Sequence, residues 1–224
     1  MKTVVTALGG SLLRPEIEER DRWLFQLCVM VKKLVDGKIR IGLVVGGGSP
    51  ARESISLVKT LINDVDALDR IGISATRLNA TIIKEAMKEI GIEVPDEVPT
   101  NVEQAMIMMK KYPVVIMGGT FPGHTTDNVA IELAVASEAS KCIVATNVSK
   151  VYDEDPKINK NAKSFDKLSH KELQQIVGPP EHLRAGKSQI VDPVGVQCAL
   201  INNLILNILD GRDIENMKNA IENK

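Results

Sequence analysis

Aromatic side chains are scarce in this chain, with one Trp, two Tyr and three Phe among 224 residues. Core packing therefore falls to aliphatic residues. A surplus of one charge is lacking as well. The 28 Lys and Arg nearly balance the 29 Asp and Glu, leaving a net charge of −1 and no basic field to draw in nucleic acid. No apolar run approaches the roughly 20 residues that a membrane span needs. The start of the chain, Lys2 followed by strand-like residues, lacks the layout of a secretory signal. Cysteine is rare, and Cys28, Cys142 and Cys198 are far apart, with no CxxC. They read as reduced core cysteines of a cytosolic protein rather than a metal cluster. The expectation is a cytoplasmic protein with neither nucleic acid nor membrane as a partner.

Several catalytic signatures are also missing. There is no GxxxxGK[ST], no GxGxxG, no HExxH and no GxSxG. A P-loop, a dinucleotide fingerprint, a zinc protease helix and a hydrolase elbow are thus all disfavoured. What remains is an ordinary globular composition, 44% apolar and 25% charged, at a length that suits one large domain, or two closely joined ones, with a real core.

Against that plain background three stretches share one grammar: VVTALGGS at 4–11, IGLVVGGGSPAR at 41–52 and VVIMGGTFPGHTTD at 114–127. Each is a β-branched apolar run ending in glycines, and helical periodicity follows. This is a buried strand handing a glycine turn to a helix start, where free N–H groups and the helix dipole favour an anion. One such turn means little. Three suggest a site for several phosphates.

Taken in order, the chain predicts strands at 3–8, 39–45, 113–117, 142–145 and 203–209. Helices are expected at about 20–35, from 50 through Leu61, from Asp66 or Asp69 to Ile90, at 102–111, to about Ser137, to Val177, from Pro193 to about Leu200 and at 213–221. Segment 93–98 is at best an edge strand, and 151–156 a polar loop. Thr100 with Glu103 and Ser169 with Glu172 have capping-box spacing, and Asp192-Pro193 reads as an N-cap with proline at N1. Strands alternating with helices give the α/β class: a three-layer αβα sandwich with a mostly parallel central sheet. Open sheets of this kind bind ligands at the carboxyl ends of their strands, where all three glycine turns fall.

The blocks LGGS, VVGGGSPAR, GISATRLNA at 72–80, MGGTFPGHTTD and TNVSKVYDEDPK resemble the amino acid kinase superfamily, and within it the archaeal-type uridylate (UMP) kinases. The likeness is ordered and spans about residues 3–212. It implies transfer of the γ-phosphoryl group of ATP to UMP, with ATP and Mg²⁺ required, in pyrimidine nucleotide synthesis. It implies an acceptor-binding part at about 1–140 and an ATP-binding part at about 141–224 of one domain. It also implies a homo-oligomer, a hexamer built as a trimer of dimers.

By position, the resemblance places Gly10, Ser11, Gly48 and Arg52 on the ATP phosphates. Thr146, Asn147, Tyr152 and Asp155 would hold the rest of ATP. Gly47, Asp69 and the loop of Thr120, Phe121, Pro122, Gly123, His124, Thr125 and Thr126 would hold UMP, with Arg52 and Asp127 as catalytic residues. Physical chemistry agrees with these roles. Two polyanions must be held in line among cations and N–H donors, and glycine lets the backbone approach phosphate without a Cβ in the way. Arg52, read as a first-turn residue, carries a fork that suits phosphate oxygens, and Asp69 at a helix start is either an N-cap or an acceptor for ribose hydroxyls. Thr125 and Thr126 can cap a helix while binding. His124 is given a ligand-shaping role, because the phosphate of UMP is already a nucleophile and needs no base.

The chain departs from its likeness at several places, three of them substitutions. Ala7 stands where many superfamily members carry a lysine, Ser140 where an aspartate is usual, and Ser149-Lys150 where Asp-Gly is usual. Arg52, Lys150, Lys187 and Mg²⁺ are the candidate cations in place of the lysine. Two other readings compete: a related kinase of a small acid such as carbamate or acetylglutamate, and a nucleotide-binding or storage paralogue with weak catalysis.

Overall fold

The computed structural model describes residues 1–13, 20–154, 159, 161–181 and 190–223. The chain opens with β1 (Lys2–Leu8), α1 (Gly10–Leu13), α2 (Arg20–Asp36), β2 (Ile39–Val45), α3 (Gly48–Val58) and α4 (Val65–Glu89). There follow α5 (Val102–Met109), β3 (Val114–Met117), α6 (Thr126–Ala136) and β4 (Cys142–Thr146). A small antiparallel pair, β5 (Val151–Tyr152) with β6 (Ser164–Phe165), leads to α7 (His170–Val177), α8 (Pro193–Ile201), β7 (Leu206–Asp210) and α9 (Ile214–Glu222).

Among the described residues five strands form one parallel sheet in the order β3-β2-β1-β4-β7. β1, β2, β3 and β4 are buried along most of their length because both faces of the sheet are covered there. Successive side chains go to opposite layers. Val4, Leu8, Ile41, Leu43 and Ile116 pack with Leu27 and Leu34 of α2 and with Ile83 and Met87 of α4. Val5, Val44 and Val115 pack with Ile131 and Leu133 of α6 and Val196 of α8. The three-layer sandwich expected from the sequence is the fold observed. The chain winds outward from β1 to β3, then returns to place β4 on the other side of β1. That reversal puts a switch point between β1 and β4, where the connections leave in opposite directions and open a crevice.

Several boundaries differ from expectation, each for a local reason. The long helix starts at Val65, next to Asp66 rather than at Asp69, because the Asp64 carboxylate accepts from the Asp66 N–H and caps it. The cap of α5 is Asn101, which accepts from Gln104 N–H, rather than Thr100; the backbone N–H and hydroxyl of Thr100 both donate to Gln104 Oε1. Both pairs have the right spacing, and the Asn101 side-chain oxygen, 2.8 Å from the Gln104 nitrogen, takes the position. Helix α3 begins at Gly48, which places Arg52 at the start of its second turn instead of its first, and it stops at Val58, short of Leu61. The polar segment after β4 contains β5, held to β6. The capping box of Ser169 with Glu172 and the Asp192 cap with Pro193 at N1 are both present.

Candidate functional site

The three glycine turns leave the carboxyl ends of three adjacent strands, β1, β2 and β3. The first two touch. Gly46 N–H donates to Leu8 carbonyl at 2.8 Å, and a Cβ on Gly10 would lie 2.2 Å from the Gly48 nitrogen. Gly48 itself has a φ of 61° and faces the Gly10 carbonyl, so both its conformation and its closeness require glycine. Gly10, Ser11, Gly47 and Gly48 are thereby brought together. The first turn also reaches β4, since Gly9 N–H donates to Ala145 carbonyl at 2.9 Å. Thr146 follows directly, its carbonyl accepting from Gly211 N–H, with exposed Asn147 beside it.

The third turn is held by α4. Thr76 Oγ1 accepts from Gly119 N–H at 2.7 Å, and a Cβ on Gly118 would sit 2.5 Å from that same oxygen. Arg77 donates to the Gly119 and Thr120 carbonyls. One turn further along, Asn79 Nδ2 donates to the Gly46 and Gly47 carbonyls at 2.8 and 3.1 Å. One helix thus fixes the second and third turns against each other. In the sequence the block 72–80 carries family likeness but assigns Thr76, Arg77 and Asn79 no role; their one signal is that they are polar residues along a largely buried stripe of α4.

The loop beyond is tethered at both ends. Asp69 Oδ2 accepts from Gly123 N–H at 2.8 Å, so Asp69 lies within α4 and holds the loop tip rather than capping a helix. Thr125 caps α6 by accepting from Asn128 N–H, and its hydroxyl donates to Asp192 Oδ2 at 2.6 Å. Thr126 is the first residue of α6. Between the tethers Phe121 is half exposed, and its ring meets that of His124 edge-on with centroids 4.2 Å apart. His124 Nδ1 lies 3.2 Å from Asn128 Nδ2 and 3.5 Å from Glu132 Oε1, a setting that orients the ring toward Phe121 and suits a shaping role. Thr120 is buried, and its Oγ1 has no hydrogen-bond partner among the described residues.

Two acids meet behind this loop. Asp192 is buried, with Oδ1 accepting from Val194 and Gly195 N–H and Oδ2 from Thr125. Burial first, and the Asp192 carboxylate second, push the half-buried Asp127 carboxyl up to about 7. Arg52 is exposed on α3, and among the described residues its guanidinium makes no hydrogen bond or ion pair. Lys150 is engaged elsewhere: its ammonium lies 2.6 Å from the Asp166 carboxylate, which raises the lysine pKa and lowers that of the acid. Ser140 donates through both N–H and hydroxyl to the Thr3 carbonyl, closing the approach to β4. Tyr152 stands half-buried on β5, outside the main sheet. Asp155 and Lys187 lie outside the described residues. Cys28 and Cys142 are buried free thiols, while Cys198 is only partly covered.

With that geometry in hand, comparison with known proteins identifies the family. The pattern of the amino acid kinase family matches residues 2–203. The chain belongs to the amino acid kinase family. Relatives within the family are close. A uridylate kinase of Methanococcus maripaludis is 39% identical over 191 residues, covering 85% of this chain and 83% of the relative. A uridylate kinase of Thermoplasma volcanium is 36% identical over 224 residues, covering all of this chain and 94% of the relative. The crystal structure of uridylate kinase from Archaeoglobus fulgidus superposes with a TM-score of 0.86 at 34% identity, over 100% of this chain and 97% of that one. UMP kinase from Bacillus anthracis has the same fold, with a TM-score of 0.80 at 22% identity.

Proposed function

We propose that this amino acid kinase phosphorylates UMP with ATP, giving UDP and ADP. The observation that carries the reading is the contact of the glycine turns at the carboxyl edge of β1 and β2, with the third turn locked beside them by α4. Such an arrangement gathers backbone N–H donors around more than one phosphate group in a single hollow. The identity to uridylate kinases in sequence and fold gives the acceptor.

The roles follow from position. Gly10, Ser11 and Gly48 surround the donor phosphates, and Arg52, whose guanidinium has no partner among the described residues, meets the phosphoryl group in flight. Thr146 and Asn147 at the end of β4, with Tyr152 and Asp155, hold the remainder of ATP, so the halves 1–140 and 141–224 divide at the switch point. UMP lies against Gly47, Asp69 and the loop 120–126, where exposed Phe121 offers a ring face and buried Thr120 a hydroxyl in need of a partner. An oxygen of the UMP phosphate forms the new P–O bond to the γ-phosphorus, and the bond from that phosphorus to the β–γ bridging oxygen breaks, releasing ADP. No proton acceptor is required, because the attacking phosphate is ionised at neutral pH.

Among the described residues no group of three or more His, Cys, Asp or Glu is arranged as a metal cage. That fits magnesium, which takes one or two carboxylates and otherwise phosphates and water. Asp127 is the carboxyl suited to it, since neighbouring Asp192 and burial both oppose its unpaired charge. The ion supplies neutralisation of the phosphate charge when bound.

The same reading places the enzyme in the cytoplasm as a homo-oligomer, a hexamer made of dimers. No described helix is long and apolar enough to cross a membrane. No residue of α3 is buried, and Leu57, Leu61, Val65 and Leu78 are exposed on α3, α4 and the segment joining them, an apolar face suited to a second subunit. In the stripe 78–86, Ile83 is core while Leu78 belongs to this outer face. A coupled assay of ADP release with UMP, CMP, dUMP and carbamate tests the proposal. Turnover with UMP well above the others is expected. Turnover with carbamate alone, or ATP binding without any turnover, would overturn it.

A further inference from the structure

Arg77 sits half-buried on α4, and among the described residues its guanidinium pairs with no carboxylate. It spends its donors on main-chain carbonyls instead. Nε donates to Gly119 at 3.3 Å, and one terminal nitrogen donates to Thr120 at 3.1 Å and to Thr100 at 3.4 Å. Thr100 is itself fixed, its N–H and hydroxyl both donating to Gln104 Oε1 at 3.0 Å. The neighbouring Thr76 oxygen takes the Gly119 N–H, so Gly119 is held through both of its backbone polar groups by successive residues of one helix.

The consequence falls on Thr120. It is 8% exposed, its carbonyl is fixed by Arg77, and its hydroxyl has no partner among the described residues. A buried polar group left unpaired is costly, and where a structure keeps one rigidly placed a ligand or water is its natural partner. A planar fork can span two successive carbonyls, whereas an ammonium on a flexible stem reaches one at a time.

From this we infer that Arg77 is a positioning residue for the acceptor nucleotide, and that it sets pyrimidine discrimination by holding the Gly119–Thr120 backbone and with it the Thr120 hydroxyl. The inference rests on the proposed UMP kinase activity. Arg77 touches no reacting atom in this arrangement; it acts through the loop.

The test compares the unmodified enzyme with Arg77→Ala and Arg77→Lys in steady-state kinetics, varying UMP, CMP and ATP in turn, with circular dichroism as a check of folding. Arg77→Ala is expected to raise KM for UMP about tenfold or more, to leave KM for ATP within about twofold, and to shrink the UMP-to-CMP ratio of kcat/KM. Arg77→Lys should fall between the two. A KM for UMP and a UMP-to-CMP ratio both unchanged in a folded Arg77→Ala would overturn the inference while leaving the kinase assignment intact. So would equal increases in KM for both nucleotides in Arg77→Lys, the result of a purely structural role. Absence of UMP turnover in the unmodified enzyme would remove both.

Discussion

At Arg52 a single exposed guanidinium, without a protein partner among the described residues, projects from the helix that the second glycine turn opens. A charge-assisted contact to a phosphate in flight exists only near the transition state. Arg52→Ala should therefore lower kcat by roughly 10²-fold with the fold intact. Steady-state kinetics check this, and unchanged kcat would remove the role. Asp127 makes a different prediction. Its carboxyl is pushed up to about 7 in the folded chain, against about 4 for an ordinary aspartate. Between those values the folded chain keeps a proton that the unfolded chain has released. Its contribution is therefore most favourable below about pH 4, declines as pH rises, and levels off above about 7. Asp127→Asn carries no charge to titrate and should lack this decline. Chemical denaturation between pH 4 and 8 should show the variant gaining on the parent by up to roughly 4 kcal/mol. Parallel pH profiles would contradict the assignment.

Helices and loops carry the next level. Asp192 caps α8 through Val194 and Gly195 and also holds the Thr125 hydroxyl that begins α6. Asp192→Ala removes a cap and leaves a hydroxyl without its acceptor, so stability at pH 7 should fall by roughly 2–4 kcal/mol. Urea denaturation measures it, and a loss under about 0.5 kcal/mol would mean the two helices are held otherwise. The strands, their burial on both faces, and the Ser169 and Asp192 caps were legible in the sequence, because each depends on residues within a few positions of one another. Asn101 displaced Thr100 as a cap because two overlapping pairs had valid spacing and only the packed backbone chooses between them. The tethers were not legible at all. Asp69 meets Gly123 from 54 positions away and Arg77 meets Gly119 from 42, and no local periodicity encodes such pairings. Nor does a two-residue strand such as β5 leave a pattern long enough to read.

Over the whole molecule the design is a parallel sheet whose strand order reverses beside β1, with glycine turns on its carboxyl edge and a long helix, α4, clamping two of them. Glycine at Gly10 and Gly48 lets the turns touch; side chains from α4 then prevent them from moving apart. That combination brings three glycine turns that are separate in the sequence together on one edge of the sheet, and the family likeness accordingly runs along most of the chain rather than in one motif. The most direct measurement is a crystal structure of this protein with UMP and a non-hydrolysable ATP analogue. UMP is expected against residues 120–126, with the triphosphate over Gly10 and Gly48 and its terminal phosphorus facing the UMP phosphate in line. Nucleotides bound on separate edges of the molecule, or UMP away from that loop, would contradict the account.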